Sequence, residues 1–121
     1  YPQSANGWKV FTTLSDFSAP GPSDTFVLID EREDSINDGY FVVDMAGYPA
    51  QTIKLVDYPA SYHNRAAGFS FADGHAEIHK WLDKRTTPPM SKSDRPLNVG
   101  MANNKDVMWM MEHSTRKVGS R

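Results

Sequence analysis

Gly68-Phe69-Ser70-Phe71-Ala72-Asp73-Gly74-His75-Ala76-Glu77-Ile78-His79-Lys80-Trp81 is the stretch whose reading decides the fold. Alternating apolar and polar residues flank Asp73-Gly74, a dipeptide suited to the positive φ angles of a two-residue hairpin loop, so residues 68–81 are predicted to form a β-hairpin. With Asp73 and Gly74 in the two turn positions, Ala72 faces His75, Phe71 faces Ala76 and Phe69 faces Ile78. That register collects Phe69, Phe71, Ala76 and Ile78 on a core face. Ser70, His75, Glu77 and His79 then fall on the opposite face, open to solvent or a ligand.

Working outward, Thr25-Phe26-Val27-Leu28-Ile29-Asp30 is a continuous apolar run that suits a central strand covered on both faces. Phe41-Val42-Val43-Asp44-Met45 follows as a second strand, and Trp8-Lys9-Val10-Phe11-Thr12-Thr13-Leu14 as a strand or extended entry segment. Ser18-Ala19-Pro20-Gly21-Pro22-Ser23 is a loop, because its prolines and glycine interrupt any regular pairing. Residues 83–104 are rich in Pro, Ser, Lys, Arg and Asn and read as a long surface loop. A short C-terminal helix comes next: Asn103 or Asn104 caps it, Asp106 suits its positive end, and Val107, Met110 and Met111 share one face. The expected fold is α+β, a small, mainly antiparallel sheet with a hairpin at 68–81, long surface loops and a short C-terminal helix.

Composition narrows the function classes. A chain of 121 residues with 39% hydrophobic residues supports one domain with a real core. Lys and Arg total 13 against 15 Asp and Glu, a net charge of −2, so nucleic-acid binding by bulk charge is disfavoured. The absence of cysteine removes disulfides, thiol catalysis and zinc-thiolate sites together. The longest apolar runs fall far short of the roughly 20 residues that span a bilayer, so no direct membrane span is expected.

Asp30, Glu31, Glu33, Asp34 and Asp38 crowd one segment against the single cation Arg32. Such oxygen-rich loops hold calcium, with Asp30, Glu31, Asp34, Asn37 and Asp38 as the candidate ligands; the alternative is a solvated turn whose Asp34 and Asn37 cap local backbone groups. His75, Glu77 and His79 form a second candidate, two imidazoles and a carboxylate spaced along one strand face in a way that suits a transition metal, or simply a polar strand surface. Serine, histidine and aspartate are all present, but neither a Gly-x-Ser-x-Gly elbow nor a His-Glu-x-x-His helix occurs, so no enzyme is expected.

His63 precedes Asp73-Gly74 by nine intervening residues. This arrangement resembles the signature of the prepilin-type, processing-associated H-X9-DG family, with His63, Asp73 and Gly74 as its motif residues. The resemblance extends to Ile29-Asp30-Glu31, to Asp34-Ser35-Ile36-Asn37-Asp38-Gly39-Tyr40-Phe41 and to Asp106-Val107-Met108-Trp109, and so takes in most of residues 25–115. It implies the globular head of a pseudopilin-like subunit, a structural protein related to type II secretion or type IV pilus machinery. Its partners would be copies of itself, other pseudopilins or a helix-supplying chain in a filament, in an extracellular, cell-surface or periplasmic setting. Calcium in a head-domain loop is known among major pseudopilins, which supports the acidic-loop reading by analogy. The sequence starts at Tyr1 without a basic-then-apolar leader, so the stalk helix is expected to be removed or to lie on another chain. The alternative is a calcium-dependent module binding carbohydrate or protein through the His75/Glu77/His79 face and the acidic loop.

Overall fold

A computed structural model describes residues 3–5, 7–36, 39–48, 52–62, 64–90 and 98–117. In chain order these contain β1 (Gln3–Ala5), β2 (Trp8–Val10), β3 (Phe26–Ile29), β4 (Lys54–Leu55), β5 (Ala66–Phe71), β6 (Ala76–Lys80), β7 (Val99–Gly100) and the helix α1 (Lys105–Glu112). The strands form three antiparallel sheets, β1–β2, β3–β5–β6 and β4–β7. The fold is a small α+β arrangement with one short C-terminal helix. No helix among the described residues is long and apolar enough to cross a membrane.

The hairpin forms where the sequence places it, with its register shifted by one residue. Ser70 pairs with Ala76, Phe69 with Glu77 and Gly68 with Ile78. The loop holds three residues, Ala72-Asp73-Gly74, because the Gly74 N–H donates to the Phe71 carbonyl at 2.9 Å while the Phe71 N–H donates to that of His75 at 2.9 Å. Gly74 has φ +94, the left-handed closing position that three-residue hairpins reserve for glycine. A shift of one residue exchanges the two faces of β6. Ala76 and Ile78, expected in the core, are therefore exposed, and His75, Glu77 and His79 share the face of Phe69 and Phe71.

β3 is an edge strand, contrary to its expected central place. An irregularity between Phe26 and Leu28 shifts its register on β5 and leaves both Val27 and Leu28 exposed, while Phe26 and Ile29 pack on the core. Residues 41–45 form no strand. Their apolar side chains Phe41, Val43 and Met45 lie against the core, but the Val42 N–H donates to the buried carboxylate of Asp57 at 2.6 Å and Tyr48 N–H turns back to the Met45 carbonyl. After Val10 the chain likewise leaves the extended state, as Asp16 accepts from the N–H groups of Thr12 and Thr13 and folds a 3-10 turn at Leu14–Asp16. The described parts of the 83–104 segment contain a 3-10 turn, Lys84–Thr86, and β7, which pairs with β4.

The core lies between the inner face of β5 and α1. Phe69, Phe71 and Trp81 meet Val107, Met110 and Met111, with Ile53, Leu55, Tyr58 and Met101 completing it. Full burial of each such side chain stabilises by roughly 1.5–3 kcal/mol, so this layer carries the fold. The helix has the expected buried face, and Asn104 is its cap: Oδ1 accepts from the N–H groups of Asp106 and Val107 at 2.9 and 3.3 Å.

Candidate functional site

The β3–β5–β6 sheet covers the core with one face and leaves part of the other open. On the outer face Leu28, Ser70 and Ala76 form one row across the strands, and Asp30, Gly68 and Ile78 the next. Leu28 is 69% exposed and Ile78 67%. Between them runs an open groove of about 390 Å³. Gly68 keeps its floor low, since a Cβ there would stand 3.1 Å from Asp30 Oδ2. The Ser70 hydroxyl is buried at this site and has no hydrogen-bond partner among the described residues. The arrangement offers apolar contact with one carboxylate at its edge, and its chemistry is that of packing.

On the inner face, at the hairpin tip, the two ring nitrogens of His75 meet two carboxylates. Nδ1 contacts Asp73 Oδ1, and Nε2 lies 2.7 Å from Glu77 Oε2, while the ring lies flat on Phe71 at 4.5 Å between centroids. The Glu77 hydrogen bond, and then that of Asp73, raises the His75 pKa above its usual 6.5, because the charged imidazolium can donate from both nitrogens. Conversely, bonding from the His75 backbone and then its side chain lowers the Asp73 pKa. Both ring nitrogens of His75 thus face carboxylate oxygens. The Asp73 N–H donates to the Pro22 carbonyl and the Ala72 N–H to that of Thr25, so the Asp73-Gly74 turn is docked on the preceding loop.

His79 lies further along the same strand and is not hydrogen-bonded to either. Its ring stacks on Trp109 at 3.8 Å and meets Phe69 and Trp81 edge-on, and burial lowers its pKa below 6.5. Trp109 also carries His113, one helical turn on, at 4.3 Å. His113 Nδ1 donates to the Asp24 carbonyl at 2.7 Å, so helix α1 is tied through these rings to both β6 and the loop before β3. The candidate trio is thus split: His75 and Glu77 form a pair, and His79 belongs to the aromatic core. His63 lies outside the described residues.

In the acidic segment the lone cation organises the anions. Arg32 is only 1% exposed. Its Nε and Nη2 donate to Asp34 Oδ1 and Oδ2 at 2.7 and 3.1 Å, and Nη1 donates to the Pro88 carbonyl at 2.7 Å. The Ser35 hydroxyl donates to Glu31 Oε2 and accepts from the Tyr58 N–H. The backbone of Asp30 joins Gly68 on one side and Ala60 on the other, leaving the residue exposed. Asn37 and Asp38 lie outside the described residues, among which no group of three or more His, Asp or Glu could hold a metal ion.

Sequence reasoning missed the polar anchor at the foot of β6. Asp106 is 1% exposed and accepts from Leu82 N–H at 2.9 Å, Asp83 N–H at 2.8 Å and the Thr86 hydroxyl at 2.7 Å. Asn104 Nδ2 reaches the same hydroxyl at 3.2 Å, and Trp81 Nε1 donates to the Ala60 carbonyl. The signal is the close spacing of Asn104 and Asp106 ahead of an apolar helix, a pattern that capping and the helix dipole already account for. No protein-family model, no curated protein and no solved structure matches the chain.

Proposed function

We propose that this chain is the globular head of a pilin-like or pseudopilus-type subunit, displayed outside the cytoplasm and working by contact. The observation that carries the reading is the open outer face of the β3–β5–β6 sheet, where Leu28 and Ile78 stand exposed across a groove floored by Gly68 and Ser70. Burying both side chains against a neighbour stabilises an assembly by roughly 1.5–3 kcal/mol each before association costs, enough to bias packing in an array. A second support is the Asp73-Gly74 turn, which carries the Asp-Gly pair of the H-X9-DG motif. Its docking on the 22–25 loop gives the motif a structural role in positioning the hairpin. In such a subunit heterologous contacts repeat along a helical axis, so each copy offers one surface and accepts another.

The test is sedimentation velocity of the native protein over a concentration series, beside a Leu28→Lys variant. Leu28 is exposed, so the variant is expected to fold and melt as the parent does. The expected result is an open-ended series of oligomers for the parent, shifted to at least about tenfold higher concentration in the variant. A parent that never exceeds a closed dimer, or a series unaffected by Leu28→Lys, overturns the reading. Saturable uptake of a carbohydrate or exported protein by such a non-assembling species would favour the binding-module alternative.

A further inference from the structure

Among the described residues β6 ends its sheet with one side unpaired. The hydrogen bonds from Phe71 N–H to the His75 carbonyl and from Trp81 N–H to that of Arg65 fix which residues face β5. By antiparallel alternation His75, Glu77, His79 and Trp81 turn their backbone groups toward β5, and Ala76, Ile78 and Lys80 turn theirs away. No described backbone or side-chain group hydrogen-bonds to these three outward-facing residues. Five residues of strand thus present a regular row of donors and acceptors beside an exposed isoleucine.

The sequence of that edge complements itself when reversed. We propose that the β6 edge pairs antiparallel with β6 of a second copy of this chain, about a two-fold axis at Ile78, joining two three-stranded sheets into one of six strands. In this register Ile78 opposes Ile78 and Ala76 opposes Lys80, and each of these residues exchanges both outward hydrogen bonds with its mate. Glu77 of each copy opposes His79 of the other, placing a carboxylate beside an imidazole twice in the closely spaced, non-hydrogen-bonded pairs. The neighbouring two-fold registers are worse: centring on Glu77 opposes two carboxylates, and centring on His79 opposes two imidazoles. Edge strands carrying charge of one sign repel their copies, whereas this register sets no two like charges opposite each other. The outer faces of both copies stay on one side, so the two Ile78 side chains join the apolar surface that starts at Leu28. The contact is isologous and closes at two copies, and it does not rest on the filament reading.

The absence of cysteine from the sequence makes the register directly testable. In an Ile78→Cys variant the two thiols meet at the axis, where opposed Cα atoms stand about 5.5 Å apart, within disulfide reach. In Ala76→Cys the introduced thiols lie four positions apart, roughly 13 Å along the strand, and are out of reach. Mild oxidation is expected to link Ile78→Cys at least about tenfold faster than Ala76→Cys. Sedimentation equilibrium from about 10 µM to about 1 mM covers the range of so small an interface, and there the parent is expected to dimerise and Ile78→Lys to dimerise at least about tenfold more weakly. Ile78 is exposed, so the Lys variant should keep the parent's melting curve. A parent that stays monomeric to the top of that range, an unchanged dimer in Ile78→Lys, or equal cross-linking of the two cysteine variants overturns the proposal. Leu28→Lys lies two strands away from the edge and leaves this dimer intact, which keeps its failure distinct from that of the filament reading.

Discussion

Two kinds of carboxylate cluster frame this molecule, one buried and one at the surface, and they are built from the same parts. At the foot of β6 Asp106 gathers two backbone N–H groups and a hydroxyl, and in the acidic segment Asp34 takes two donors from Arg32, all with the charged groups shielded from water. At the tip Asp73 and Glu77 clasp His75, whose side chain is 36% exposed. Geometry alone does not separate them, since the distances are alike. Solvent does: removing a partner indoors strands a group that water cannot reach, whereas at the tip water substitutes at once.

The largest effect is therefore expected at Arg32. Arg32→Ala leaves the Asp34 carboxylate buried without its counter-ion, and urea unfolding should show a loss of about 3–5 kcal/mol. Replacing both members, with Arg32→Met and Asp34→Leu together, should recover most of that loss, because an apolar pair of similar volume needs no desolvated charge. A single variant as stable as the parent would erase the contrast between interior and tip. Next comes Asp106→Ala, which orphans the Leu82 and Asp83 N–H groups and leaves the Thr86 hydroxyl with Asn104 alone. A loss of about 2–4 kcal/mol is expected from the urea midpoint, smaller than the sum of the three because the turn can relax toward water.

The same contrast explains what the sequence revealed. The hairpin, the helix with its Val107, Met110 and Met111 face and the α+β class were legible, because alternation, helical spacing and a glycine turn are local signals. The register was not: a two-residue and a three-residue loop both accept Asp73-Gly74, and one residue decides which face of β6 is buried. That slip also sets His75, Glu77 and His79 on the face of Phe69 and Phe71, whereas the metal reading assumes a free polar face. The apolar run at 25–30 failed as a central strand because an irregularity at Val27 cannot be seen in hydrophobicity. The β4 and β7 strands are two residues each, too short for any period. The buried pairing of Arg32 was hinted at by its isolation among carboxylates, but burial of a cation depends on distant contacts such as the Pro88 carbonyl.

The smallest effect sharpens the comparison within β6 itself, where two histidines four residues apart respond to acid with opposite signs. Glu77 and Asp73 raise the His75 pKa above 6.5, so its contribution to stability is full below 6.5 and is lost as pH rises through the folded value. Burial against Phe69, Trp81 and Trp109 lowers that of His79, partly offset by Asp106 and Glu77 and reinforced by His113, so its contribution is full above 6.5 and is lost as pH falls through the folded value. The two slopes oppose each other, and the parent should show a flatter stability profile between about pH 5 and 8 than either single variant. His75→Gln, which keeps only the buried ring, should lose stability on acidification. His79→Phe, which keeps the stack on Trp109 and the tip clasp, should lose it on alkalinisation. Imidazole proton shifts in dilute solution check the cause directly, with the His75 midpoint above 6.5 and the His79 midpoint below it. Concentration adds a final discriminator: in the β6-paired dimer the second copy's Glu77 stands beside His79, so the His79 midpoint should climb as copies associate. A His79 midpoint that ignores concentration while the protein dimerises would place the interface elsewhere than on this edge.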